Sequence, residues 1–249
     1  MSGHSKWHSI KHKKGAADAK RGKLFAVLIR QIEIAARSGG GDPASNATLR
    51  SMVQKARDNS LPVDTIQRAI KRGTGEEEGV IYEQVSYEGY AASGVAVIVQ
   101  ALTDNRNRTS AEIKNIFSRN GGSFAEPGAV SWQFERKGIV HVDREADEDE
   151  LMLAAADAGA EDIQDLGDAW HVTTPPTELH AVRTAIEEAG FKVKSSDLTM
   201  IPTTSVALDK EDKAKSVLRL MDALEDHDDV EAVFANFDIP DAVLEAVSA

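Results

Sequence analysis

The sequence predicts an α+β protein: an N-terminal three-helix bundle with a basic arm, then two α+β domains, one ferredoxin-like and inserted in the other. Three observations carry that prediction. Charge is segregated, because residues 1–75 hold 15 Lys and Arg against 5 Asp and Glu, a balance of +10. Residues 76–249 hold 14 basic and 36 acidic side chains, a balance of −22, which together give the overall −12. The apolar period changes from helical to strand-like after the polar joint Thr74–Gly79. Residues 137–201 then read β-α-β-β-α-β, the split βαβ plan.

Taken in order, residues 1–23 lack a helical apolar stripe and read as an extended or partly disordered arm, with room for a short helix near Ser9–Lys14. Leu24, Leu28, Ile32 and Ala35 form the stripe of a helix over 24–36, which Ser38-Gly39-Gly40-Gly41 ends. Asp42-Pro43 reads as the N-cap and first residue of a second helix with Leu49, Met52, Val53 and Ala56 inward. Ile66, Ala69 and Ile70 mark a third, closed by Gly73. These helices and the arm form the expected domain 1–75. Residues 80–90 have strand composition, and the β-branched run 94–102 belongs at the centre of a sheet. Thr109-Ser110-Ala111-Glu112 has a capping-box pattern ahead of Ile113, Ile116 and Phe117. Val130, Trp132 and Phe134 alternate with polar residues as in a half-buried strand.

Lys137-Gly138 opens the next unit. Strand 139–142 and helix 147–158 lead to a hairpin over 162–173 with its turn at Gly167-Asp168. Thr174-Pro175 caps a helix faced by Leu179, Val182 and Ile186, and strand 191–200 completes the unit. Short strand 205–208, a helix capped by Asp209 and strand 230–237 are too few for a domain. The economical division is therefore 80–135 plus 203–238 as one domain, with 137–201 inserted.

Composition narrows the function classes. No run of about 18 apolar residues exists to span a membrane. The basic N-terminus lacks the apolar core of a secretory signal. The absence of cysteine removes disulfides, Cys-ligated zinc and thiol catalysis, and fits a cytoplasmic protein. Lys6, Lys11, Lys13, Lys14, Lys20, Arg21 and Lys23 can neutralise phosphates, and Trp7 can either stack on a base or dock the arm. Arg68, Lys71 and Arg72 share one helical face. His4, His8 and His12 recur every four residues; a metal role lacks a nearby carboxylate, so His12 is expected beside phosphate. Arg106 and Arg108 precede a capped helix and could hold an anion. The acidic runs lack the glycine and spacing of a calcium loop, and no P-loop, H-E-x-x-H or dinucleotide fingerprint is present. No cofactor, metal or catalytic residue is expected.

The segments G-H-S-K-W (3–7), I-K-H-K-K (10–14), D-A-K-R-G-K (18–23), G-G-G-D-P (39–43), I-Q-R-A-I-K-R-G (66–73), Y-E-G-Y (87–90), N-R-N-R-T (105–109), R-N-G-G (119–122) and V-S-W-Q-F (130–134) together resemble the YebC/PmpR family. The resemblance covers nearly the whole chain. It implies three domains, a cytoplasmic bacterial protein and a role commonly described as probable DNA-binding transcriptional regulation. It also implies a second class, since mitochondrial relatives are translational activators and bacterial members are linked to stalled ribosomes. The sequence departs from the family at Ala91-Ala92-Ser93-Gly94, where relatives often carry a glycine- and proline-rich turn. The expectation is a non-enzymatic regulator that binds DNA or, alternatively, rRNA on the ribosome; a metal-dependent enzyme using the acidic runs is the third reading.

Overall fold

The computed structural model describes residues 17–167 and 169–248. Helix α1 spans Ala17–Gly39. It starts well before the apolar stripe, so Lys20, Arg21 and Lys23 lie on helix rather than on an extended arm. Ala17, Ala19, Lys20 and Arg21 are good helix formers, and a helix nucleated on the stripe extends through them at little cost. Helix α2 spans Ala47–Asp58 and its cap is Asn46, not Asp42. Asp42 instead closes a turn by accepting the Ala44 N–H at 2.9 Å. Asn46 is better placed because one buried side chain serves both helix ends. Its oxygen accepts from Leu49 N at 3.0 Å, and its nitrogen donates to Ala35 O at 2.8 Å and Gly40 O at 2.9 Å.

Helix α3, Val63–Thr74, ends on Gly75 in the left-handed conformation. Leu28, Ile32, Leu49, Val53, Ile66 and Ile70 fill the small core between the helices. α1 and α3 cross at Gly73, where an added Cβ would lie 2.5 Å from Glu33 O and 2.7 Å from Ala36 Cβ. Beside that crossing, Arg72 donates from Nε to the buried Glu33 carboxylate at 2.6 Å.

β1 (Glu83–Tyr90) and β2 (Ala96–Thr103) form a hairpin. Their connection is a tight turn with Ser93 at φ 62° and Gly94 at φ 77°, at the point where the sequence departs from the family pattern. Helix α4 (Arg106–Arg119) is capped by Asn105 rather than by Thr109. Thr109 is buried, with Oγ1 2.7 Å from both Thr103 Oγ1 and Asp229 Oδ2. β3 (Ser123–Ala125) adds to the far side of β1.

The strand expected over 130–134 is a loop with a short 3-10 turn at Ser131–Gln133. The buried Glu88 carboxylate accepts the N–H groups of Gly128, Val130 and Ser131 at 2.8, 2.6 and 3.0 Å. Those donors are therefore unavailable to a strand ladder. Val130 and Phe134 are buried while Trp132 is 72% exposed, so the alternation does not mark one face.

β4 (Phe134–Asp143) runs through Gly138 without a break. Helix α5 (Glu148–Asp157), β5 (Asp162–Asp165), β6 (Ala169–Thr174), helix α6 (Leu179–Glu188) and β7 (Val193–Pro202) follow. Their sheet has the order β5-β6-β4-β7 with every pair antiparallel, the ferredoxin-like arrangement. Val140, Val142, Leu151, Trp170, Val172 and Ile186 are among its core. Glu178, not Thr174, precedes α6, because Thr174 is the last residue of β6.

The chain then returns, and Lys210, not Asp209, precedes the next helix, with no side-chain cap. β8 (Val206–Ala207) pairs in parallel with β10 (Phe237–Asp238), flanking helix α7 (Glu211–Glu225) and β9 (Val230–Ala235). β9 pairs with β2, giving the sheet β3-β1-β2-β9. β2 is buried on both faces: Val97 and Val99 meet the helix-side core, and Ala96 and Ile98 meet Val130 and Phe134. A terminal helix, α8 (Asp241–Ser248), was not expected; it packs Leu244 into the larger core.

The helical unit is docked by polar contacts. Lys23 Nζ donates to the carbonyls of Glu225 and, at 2.6 Å, His227. Arg30 donates to Asp228 O at 3.0 Å and lies over the Tyr82 ring. Lys55 pairs with Asp197 on β7 at 2.8 Å, and Arg183 on α6 reaches Asp58 at 2.7 and 3.2 Å. Gln31 donates to Glu231 Oε1, while Gln31 Oε1 and Glu231 Oε2 are buried acceptors without a donor. Burial pushes the Glu231 carboxyl above its ordinary range, against the Gln31 bond and the Lys55 charge.

Two predictions follow from this packing. Gly73→Ala should cost about 1–3 kcal/mol by overpacking the α1–α3 crossing, read as a lowered urea midpoint. Glu231 binds its proton more tightly folded than unfolded. Its contribution is therefore favourable below the ordinary carboxylate range and lost as pH rises through the raised folded value. Glu231→Gln supplies an N–H among the orphan acceptors, and should stabilise the protein at neutral pH by about 1 kcal/mol and flatten that decline; urea melts across pH 4–8 check it.

Candidate nucleic-acid interface

The helical unit's cations divide by direction. Lys23, Arg30, Lys55 and Arg72 point inward onto carbonyls or carboxylates. Arg21, Arg37, Arg57, Arg68 and Lys71 are exposed. Among the described residues, none of these five is held in an ion pair with another described side chain. Arg68 and Lys71 stand one turn apart on α3, as their spacing predicts. Their expected neighbour Arg72 is drawn aside by Glu33. Arg21 sits 5.3 Å over the Phe25 ring, so its charge stays at the surface.

Lys23 differs from the rest of the basic segment. Burial pulls its ammonium below the ordinary lysine value, against the nearby Asp226, Asp228 and Glu225 charges. Its donors are spent at the C-terminal end of α7, where the helix dipole is negative. It is therefore a strut and not a phosphate contact in this conformation. Lys20 lies in the first turns of α1. Lys6, Trp7, Lys11, His12, Lys13 and Lys14 lie outside the described residues, as do His4 and His8.

The proposed anion pair at 106 and 108 faces acids instead. Arg106 is exposed and 3.8 Å from Glu83. Arg108 donates to Asp104 at 2.9 Å and Asp229 at 2.8 Å. Burial would raise the Asp229 carboxyl, yet Arg108 and Thr109 hold it below its ordinary value. The sequence signal was the N-R-N-R loop; the partner that neutralises it is more than a hundred residues away and invisible to local reading.

The acidic run at 225–229 is one of those that a metal-dependent enzyme would draw on. Glu112, His227 and Asp229 do bring possible ligand atoms within 4.8 Å of one another. Those atoms are already engaged. His227 Nδ1 accepts the Asp229 N–H at 3.1 Å, which leaves Nε2 to donate to Glu112 at 2.8 Å. Asp229 is bonded to Arg108 and Thr109. Arg108 supplies the positive charge that an ion would bring.

No helix among the described residues is long and apolar enough to cross a membrane. Residues 5–76 match the TACO1/YebC protein N-terminal domain, and residues 82–237 match the TACO1/YebC second and third domain. A "Probable transcriptional regulatory protein" of Thermobifida fusca is 54% identical over 250 residues, covering 100% of each chain. One of Halothermothrix orenii is 53% identical, covering 100% of this chain and 99% of its own. The crystal structure of a conserved hypothetical protein from Aquifex aeolicus superposes with a TM-score of 0.84 at 45% identity, covering 93% of this chain and 96% of that one. With both domain profiles matched and half the residues identical end to end, the chain belongs to the TACO1/YebC family.

Proposed function

We propose that this chain is a cytoplasmic, non-enzymatic regulator of gene expression that binds duplex DNA through its helical unit and the basic residues ahead of it. The names of its relatives support the regulatory role. The observation that carries the binding reading is the sorting of cations: inward ones are consumed as struts, while Arg68, Lys71 and Arg21 face solvent. Lys6, Lys11, Lys13, Lys14 and Lys20 add to that field, Trp7 can stack, and His12 can sit beside phosphate. Contacts of this type position a protein on the backbone and carry no sequence information themselves. The −22 balance of residues 76–249 keeps the polyanion away from the α+β units.

Arg68→Glu with Lys71→Glu should weaken binding to a labelled duplex at least about tenfold, equally for different sequences, and Lys11, Lys13 and Lys14→Glu should do at least as much. Fluorescence anisotropy at fixed salt reads both. Unchanged affinity in both variants overturns the proposal. Sedimentation with large ribosomal subunits, abolished by the same substitutions while duplex affinity is weak throughout, would replace DNA with rRNA as the ligand.

A further inference from the structure

Residues 225–229 hold four acids in five positions, where α7 ends and the chain turns into β9. Lys23 and Arg30, two turns apart on one side of α1, are laid on that turn. Lys23 donates to the carbonyls of Glu225 and His227. Arg30 donates to Asp228 O and lies 3.9 Å from the Asp229 carboxylate. The Lys23 ammonium is partly desolvated and is repelled by Arg30, and the charges of Asp226, Asp228 and Glu225 act against both effects. Acids clustered on a turn thus offer two helix cations the kind of charge that a phosphate backbone also offers.

This contact has little apolar support. Among the described residues no apolar core joins α1 to the α+β units: the cluster of the helical unit runs from Leu24 to Ile70, and those of the other units begin at Val85. Val27, buried on the same side of α1, belongs to none of them. Beside the turn, Gln31 and Glu231 each keep a buried acceptor without a donor. Units joined by polar surface of this kind move relative to one another more readily than those sharing a core. The connection 75–81 is exposed throughout and contains no helix or strand. α2 is held to the ferredoxin-like unit by Lys55 to Asp197 and Asp58 to Arg183, so the movement open to the helical unit is a tilt of α1 about α2. We propose that the turn 225–229 is an internal phosphate mimic: docked on α1, it withholds Lys23 and Arg30 from nucleic acid, and a tilt of α1 adds both to the binding face. This rests on the nucleic-acid reading above and extends it with a contact that limits affinity.

Asp226→Asn with Asp228→Asn, both exposed positions, tests this in the full chain. The chain has no cysteine, so nitroxides on Ser38→Cys in α1 and Lys213→Cys in α7 report the docking by electron–electron distance measurement, with no nucleic acid present. The native distance should give way to a longer and broader set in the Asn variant. Its affinity for a labelled duplex should rise about tenfold. Its slope of log affinity on log salt should steepen to about −9, against about −7 for the docked wild type, because two more phosphates are neutralised. Lys23→Met with Arg30→Met in that background should return the slope to about −7, whereas a gain from lost repulsion alone would survive those changes. A wild-type slope near zero removes the nucleic-acid reading and the mimic with it. With the wild-type slope at about −7, three results each overturn the mimic and leave that reading standing: an unmoved label distance in the Asn variant, an unchanged slope, or a steeper slope that persists in Lys23→Met with Arg30→Met.

Discussion

The docking of α1 against residues 225–231 governs which charges this protein shows to solvent. A lysine ammonium is costly to bury unless its donors are met. Lys23 meets them with two carbonyls at the end of α7, and Arg30 takes a third carbonyl from the same turn. With those two side chains committed, the rotation of α1 about its own axis is fixed. α2 is held in turn by Lys55 to Asp197 and Asp58 to Arg183 on the ferredoxin-like unit. The outward side of the helices keeps Arg68, Lys71, Arg37 and Arg57. Positive charge at the front is therefore partly a consequence of where other positive charges have been used.

Asp229 stands at the centre of that seam. It receives Arg108 and Thr109 from α4, lies 3.9 Å from Arg30, and fixes the His227 ring through its own N–H. The acidic run thus joins the returning strand β9, helix α4 and the helical unit at one point. Gln31 and Glu231 beside it leave two buried acceptors unmet, so this polar contact is less tightly satisfied than the apolar cores on either side.

Much of the architecture is legible from local pattern. The hairpin pattern that pairs β5 with β6, the acidic first turn of α5 behind Asp147 and the β-branched run of β2 all lead to the elements observed. Strand 230–235 needs a sheet, and pairing with β2 supplies it. Pattern fails where a distant side chain decides. Val130, Trp132 and Phe134 alternate as a strand would, yet Glu88, some forty residues earlier, takes the N–H groups. Asn46 outcompetes Asp42 because it also reaches back to α1. Likewise, composition marks a basic segment but cannot say that Lys23 and Arg72 turn inward while Arg68 and Lys71 do not.

The salt dependence of duplex affinity measures the central claim most directly, because it counts phosphates neutralised. Lys6, Lys11, Lys13, Lys14, Lys20, Arg21, Arg68 and Lys71 acting together predict a slope of log affinity on log salt of about −7. Reversing Arg68 and Lys71 should bring it to about −5. A slope near zero, or one that those reversals leave unchanged, would contradict a nucleic-acid face built from the outward cations of the helical unit.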